Sequence, residues 1–151
     1  MPEIHPDPFV ALFFEAGIIN QIGTTFLEKR LSDGLLASHF GVVNHLMRVR
    51  DGATPLELAR AFQVPKTTMT HTLAGLEKHG FVQMRPNPDD KRSKQVWLTD
   101  AGRAFRDETL AAVGPIFAEI ARRFDRKDAE DILPTLTAFR QMIDQLRDEM
   151  D

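Results

Sequence analysis

Between positions 66 and 94 the chain gathers side chains that hydrogen-bond phosphates and base edges. Lys66-Thr67-Thr68-Met69-Thr70-His71-Thr72 holds four hydroxyls, an imidazole and an ammonium within seven residues. Threonine is a mediocre helix former, because its branched, hydroxylated side chain competes with the helical backbone. Four threonines in six positions therefore imply that the hydroxyls are used. A second cluster, Asp90-Lys91-Arg92-Ser93-Lys94, crowds three cations and a carboxylate onto one short tip. As a solvated ion pair in a turn, Asp90 and Arg92 would contribute little; as part of an anion-binding surface they would matter.

The elements that must position these groups lie between Thr54 and Thr99. Thr54-Pro55 is a capping residue followed by proline at the favoured first helical position. The helix that follows carries Leu56, Ala59 and Phe62 inward, and a second carries Met69, Leu73 and Leu76. Gln63-Val64-Pro65 is long enough only for a sharp turn. Gly80 ends the second helix in a left-handed conformation. Phe81–Met84 and Gln95–Leu98 alternate in polarity as half-buried strands do, with Pro86, Pro88, Asp89 and Asp90 turning between them. This is a helix-turn-helix with a hairpin wing, whose common use is to place the second helix in the DNA major groove. On strand alternation Trp97 points away from the buried face and packs against a neighbouring loop.

Helical segments flank this unit. Residues 2–8, with three prolines, read as a loose arm. From Phe9 to about Leu31 runs a helix with apolar residues on more than one face, ended by Asp33-Gly34. In a chain this small, a second subunit is the expected extra partner. Ser38 is expected to cap the next helix, which carries Phe40, Val43, Leu46 and Met47 and stops at Asp51-Gly52. After Thr99 a long helix carries Phe105, Leu110, Val113, Phe117, Ile120 and Phe124, with a kink or break expected at Gly114-Pro115. Asp125 is expected to cap a last helix, bent at Pro134. The expected fold is mainly α with a small β-hairpin. Residues 1–35 and 100–151 form a helical dimerisation region around a winged helix-turn-helix at 36–99.

The 151 residues carry a net charge of −3, which looks wrong for a DNA-binding chain until it is divided. Residues 60–106 hold nine Lys/Arg against four acids, so positive charge is concentrated there and the remainder is acidic. Such asymmetry attracts phosphate to one face and repels it elsewhere. The absence of cysteine removes disulfides, thiolate metal sites and thiol redox sensing. His39 and His45, six apart, do not share a helix face, so no metal is expected. No run approaches 18 consecutive apolar residues and the start lacks a secretory signal, so the expectation is no membrane span and a cytoplasmic chain. No nucleophile elbow, HExxH or phosphate-cradling glycine loop appears, so neither an enzyme nor a cofactor is expected.

Two segments carry a family resemblance. Asp90-Lys91-Arg92-Ser93-Lys94 followed by Leu98-Thr99 and Gly102 resembles the D-x-R-S-K…LT-x-x-G wing of MarR-type transcriptional regulators. Leu76-Glu77 with Gly80 and Val82 resembles that family's recognition-helix ending. The resemblance implies a homodimer bound to a double-stranded operator, acting mostly as a repressor, and released in many members by a small aromatic or phenolic ligand. It implies that Arg92 enters the minor groove, that Asp90 braces it by a charge-assisted hydrogen bond, and that Ser93 and Lys94 hold phosphates. Lys66, Thr67, Thr68, Thr70 and His71 would meet base edges and backbone. Three positions depart from the family pattern: Pro65 replaces a serine cap, His71 a basic residue, and Gly75 an arginine, at a helix cost of roughly 1 kcal/mol. His39, Phe40, Met47 and Phe13 would line the ligand cleft. The alternative is a winged helix used for protein association, without an operator of its own.

Overall fold

The computed structural model describes residues 7–32 and 34–150. Most of the expected N-terminal arm, and Asp33 of the expected helix break, lie outside them. Six helices and one antiparallel hairpin follow in the order α1 (Pro8–Glu28), α2 (Ala37–Arg48), α3 (Pro55–Phe62), α4 (Lys66–Lys78), β1 (Val82–Asn87), β2 (Asp90–Leu98), α5 (Asp100–Arg123) and α6 (Arg126–Met150). The chain divides into two compact units, Met1–Val113 and Gly114–Asp151.

The first unit holds the core. Val42, Val43 and Leu46 of α2, Leu58 of α3, Leu76 of α4 and Val96 of β2 are its fully buried side chains. Helix α3 opens with a reciprocal cap: Glu57 N–H donates to Thr54 Oγ1 (3.2 Å) and Thr54 N–H to Glu57 Oε2 (2.7 Å). Its inward face is Leu58 and Ala59 with Phe62, while Leu56, expected inside, is exposed. Residues two apart on a helix point nearly opposite ways, so Leu58 and Leu56 cannot both face the core. The turn into α4 passes through Gln63 at φ +54°, and α4 buries Met69, Leu73 and Leu76 as expected, together with Thr72.

The start of α2 departs from expectation. Its N-cap is Leu36, not Ser38. The first N–H groups find partners from elsewhere: Leu36 N–H donates to His39 Nδ1 (2.8 Å) and Ala37 N–H to Glu28 Oε1 (2.9 Å). A histidine three residues on and a carboxylate from the end of α1 thus do what a serine cap would do.

The hairpin is longer than its alternating segments suggest. Val82 pairs with Leu98 and Pro86 with Lys94, and the register shifts between Pro86 and Asn87 before the Pro88-Asp89 turn. Its base is tied to the α2–α3 loop through Gly52 N–H to Val96 O and Val96 N–H to Ala53 O, both 2.9 Å. Asp51 Oδ1 accepts Leu98 N–H (2.9 Å), and Oδ2 pairs with Arg103 (3.2 Å). Thr99 caps α5 by accepting Gly102 N–H (3.0 Å) and donates its own proton to Gly80 O. Gly102 lets α5 start against the Phe81 carbonyl, since a Cβ there would lie 2.1 Å from that oxygen.

Helix α5 runs without a break through Gly114-Pro115, and α6 continues through Pro134. Asp125 accepts Lys127 N–H at 2.8 Å, capping α6 as expected. No residue of α1 is buried. Its 21 residues are, by length and composition, apolar enough to cross a membrane. That corrects the exclusion based on unbroken apolar runs: Glu15, Asn20 and Gln21 interrupt the run without making the helix polar on average.

Candidate nucleic-acid interface

The exposed start of α4 and the tip of the hairpin carry the candidate contacts. Lys66, Thr67, Thr68, Thr70 and His71 are all exposed, with Met69 between them pointing into the core. Their placement follows from one amphipathic helix: Met69, Thr72, Leu73 and Leu76 anchor one face, and the opposite face is left to solvent. Pro65 is the N-cap and supplies no side-chain acceptor, so the first N–H groups of α4 are not capped by it.

The threonines divide into two kinds. Thr70 donates its hydroxyl proton to Lys66 O (2.9 Å) and Thr72 to Thr68 O (3.2 Å), the bonds a threonine makes back onto its own helix. Thr72 is also buried, so its hydroxyl is structural. Thr70 keeps its oxygen lone pairs and can accept from a base amino group; Thr67 and Thr68 keep full donor capacity.

At the wing tip the structure replaces one expected contact with another. Asp90 Oδ1 accepts the backbone N–H of Arg92 at 2.9 Å, rather than bracing its guanidinium. The carboxylate therefore shapes the turn from which Arg92 projects. Asn87 Nδ2 donates to Ser93 Oγ (2.9 Å), leaving the serine proton for an incoming acceptor, and Asn87 Oδ1 accepts Asp89 N–H (3.0 Å). Among the described residues, Lys66, Lys91, Arg92 and Lys94 make no ion pair, so their charges are available to phosphate.

A second arginine on the wing escaped the sequence reading. Arg85 donates through Nε and Nη2 to Gln83 Oε1 (3.2 and 3.1 Å) and lies over the Trp97 ring, 5.3 Å from its centroid. A cation–π contact with paired hydrogen bonds holds a guanidinium in place. The signal was present: in a two-residue strand period Gln83 and Arg85 share a face, and Trp97 pairs with Gln83. Trp97 itself packs on the α2–α3 loop, as expected, its ring filling the space beside Gly52.

The four residues assigned to a ligand cleft sit in different settings. His39 is buried, with Nδ1 bonded to Leu36 N–H. Phe40 meets Phe105 edge-on at 6.5 Å. Met47 and Phe13 are exposed, at 37% and 56%. Burial pushes the His39 imidazole below the ordinary histidine range, and the neighbouring His79 and His71 push it the same way. No group of metal-binding side chains occurs among the described residues.

The sequence profile of the MarR family matches residues 33–93, from just ahead of α2 to the wing tip. The transcriptional activatory protein BadR of Rhodopseudomonas palustris is 30% identical over 143 residues, 92% of this chain and 78% of that protein. The HTH-type transcriptional repressor YetL of Bacillus subtilis is 32% identical over 103 residues, 68% of this chain but only 60% of the repressor's length. Among solved structures, a mutant of E. coli MarR complexed with operator DNA superposes with a TM-score of 0.74 at 26% identity, covering 87% of this chain and 95% of that one.

Proposed function

The chain belongs to the MarR family of winged-helix, DNA-binding transcriptional regulators, and from that premise we propose that it works as a homodimeric repressor on a pseudo-palindromic operator. The observation that carries this reading is the pairing of two unneutralised groups of side chains on one head: exposed Lys66, Thr67, Thr68, Thr70 and His71 on α4, and exposed Arg92 and Lys94 with half-buried Ser93 at the wing tip. Helix α4 reads base edges in the major groove. Arg92 enters the minor groove, and Asp90 sets the turn that aims it. The lysines supply most of the affinity by releasing counterions.

Two-fold symmetry puts the half-sites about one helical turn apart, roughly 34–36 Å. The second subunit covers the apolar α1 side chains that this chain leaves in solvent; that assignment sets α1 against another protein rather than a bilayer. The dimerisation region comprises residues 1–35 and 100–151, and the reading head residues 36–99. A small aromatic or phenolic ligand, seated against Phe40, Met47, Phe13 and His39, releases the operator by shifting the heads. Activation is the second reading, favoured by identity with an activatory relative over 92% of this chain.

The test is fluorescence anisotropy with duplex from just upstream of the protein's own gene, against a scrambled duplex, over a salt series. Preference for the upstream duplex with a steep loss in salt is the expected result. Equal, weak binding to both duplexes, and to other intergenic fragments, would remove the operator reading and favour a protein-associating winged helix.

A further inference from the structure

We propose that His39 is a positioning residue for the recognition helix α4, and that proton uptake by its ring loosens α4 and weakens DNA binding at acid pH. The inference rests on the operator-binding reading for its DNA readout and extends it to a residue that need not touch DNA.

His39 stands between two helices. Its Nδ1 accepts Leu36 N–H at 2.8 Å, at the start of α2. Its other nitrogen faces the middle of α4, where a Cβ on residue 75 would lie 2.7 Å from Nε2. The ring therefore occupies the gap that a glycine leaves in α4, and the neutral tautomer with its proton on Nε2 is the one that satisfies the cap. An imidazolium carries N–H on both nitrogens and cannot accept from Leu36. Protonation thus sets two donors against each other at the α2 start and places a cation against the recognition helix.

The titratable groups around the ring come from two elements. His79 at the C-cap of α4 and His71 on α4 oppose its charge, and Glu28 at the end of α1 is engaged with the adjacent Ala37 N–H. His79 Nδ1 also bonds Gly75 O at 2.9 Å, so the residue that His39 packs against is tied to the C-cap of α4 as well. A ring stack continues the link: His79 lies on Phe81 at 5.5 Å and Phe81 on Phe105 at 4.4 Å, and Phe105 meets Phe40, the residue after His39. Movement at the start of α2 is therefore passed to α4 by two routes. Burial delays protonation of His39 until the pH is below the usual histidine range.

The sign separates His39 from His71. A proton on exposed His71 strengthens attraction to phosphate, whereas a proton on His39 disturbs the helix that presents it. Two measurements test this on the full chain. In NMR titration of the free protein from pH 7.5 to 5, the Leu36 and Gly75 amides should move with the His39 midpoint. Movement of Leu36 with Gly75 and the rest of α4 unmoved overturns the positioning role. In anisotropy on the operator duplex, His71→Gln should lose affinity by up to about tenfold per pH unit below the His39 midpoint, and His39→Gln/His71→Gln should show a flat profile. An equal acid loss in the double variant overturns the proposal. Failure to prefer any duplex at any pH defeats the operator reading alone, and the NMR titration still decides whether His39 is coupled to α4.

Discussion

The His39 ring stands where a side chain at Gly75 would begin: a Cβ on Gly75 would lie 2.7 Å from His39 Nε2. Glycine in the middle of a helix costs roughly 1 kcal/mol relative to alanine, so α4 carries a local penalty in exchange for close packing against α2. Gly75→Ala should therefore fail to deliver its expected gain. Steric displacement of the ring and loss of the Leu36 cap should leave the protein about 1–3 kcal/mol less stable. Urea denaturation followed by circular dichroism measures it, and a stabilised variant would show that the ring moves aside without cost.

His39 also makes stability depend on pH. Its folded-state affinity for a proton is depressed below the ordinary value of 6.5, so the unfolded chain binds the proton more readily. The contribution is present above pH 6.5 and is lost as pH falls through the folded midpoint. Glu57, depressed mainly by the Thr54 backbone N–H, acts with the same sign in a lower window, below the ordinary value of 4.5. Denaturation midpoints of wild type and His39→Gln between pH 8 and 5 should converge as the pH falls.

At the wing, Arg92→Ala should weaken operator binding strongly and reduce the salt slope by about one unit, while leaving the oligomeric state unchanged. Asp90→Ala should cost less than Arg92→Ala, since Asp90 holds the Arg92 backbone N–H rather than its guanidinium. Equal losses in anisotropy titrations would mean that the carboxylate does more than shape the turn.

Gly52 adopts φ +76°, and a Cβ there would lie 2.5 Å from the Trp97 ring. Gly52→Ala combines backbone strain with displacement of the only tryptophan, and should cost about 1–3 kcal/mol. Trp97 fluorescence should shift to the red as the ring leaves the loop. An unshifted spectrum with wild-type stability would show that the loop adapts.

Ile19 on α1 is 68% exposed and lies within a helix with no buried residue. If α1 forms the proposed subunit interface, Ile19→Asp should give a monomer in light scattering coupled to size exclusion, with the circular dichroism of the folded head retained. A dimer of undiminished stability would place the subunit interface elsewhere.

The sequence by itself determined the winged helix-turn-helix. Its signals are local: Thr54 and Pro55 open the first helix, Met69, Leu73 and Leu76 mark one face of the second, and Gly80 supplies the left-handed stop. The candidate interface was legible for the same reason, because what a surface offers to DNA is side-chain type and spacing. What only the tertiary structure decided are pairings that neither periodicity nor capping preference reports. Glu28 and His39, not Ser38, satisfy the start of α2. Gly75 exists for a ring from another helix, and Arg85 is held by a tryptophan across the hairpin. Periodicity reports which face of a helix is apolar, but not which distant group arrives there. That choice is made when the elements pack and each buried donor takes whichever acceptor the packing brings within reach.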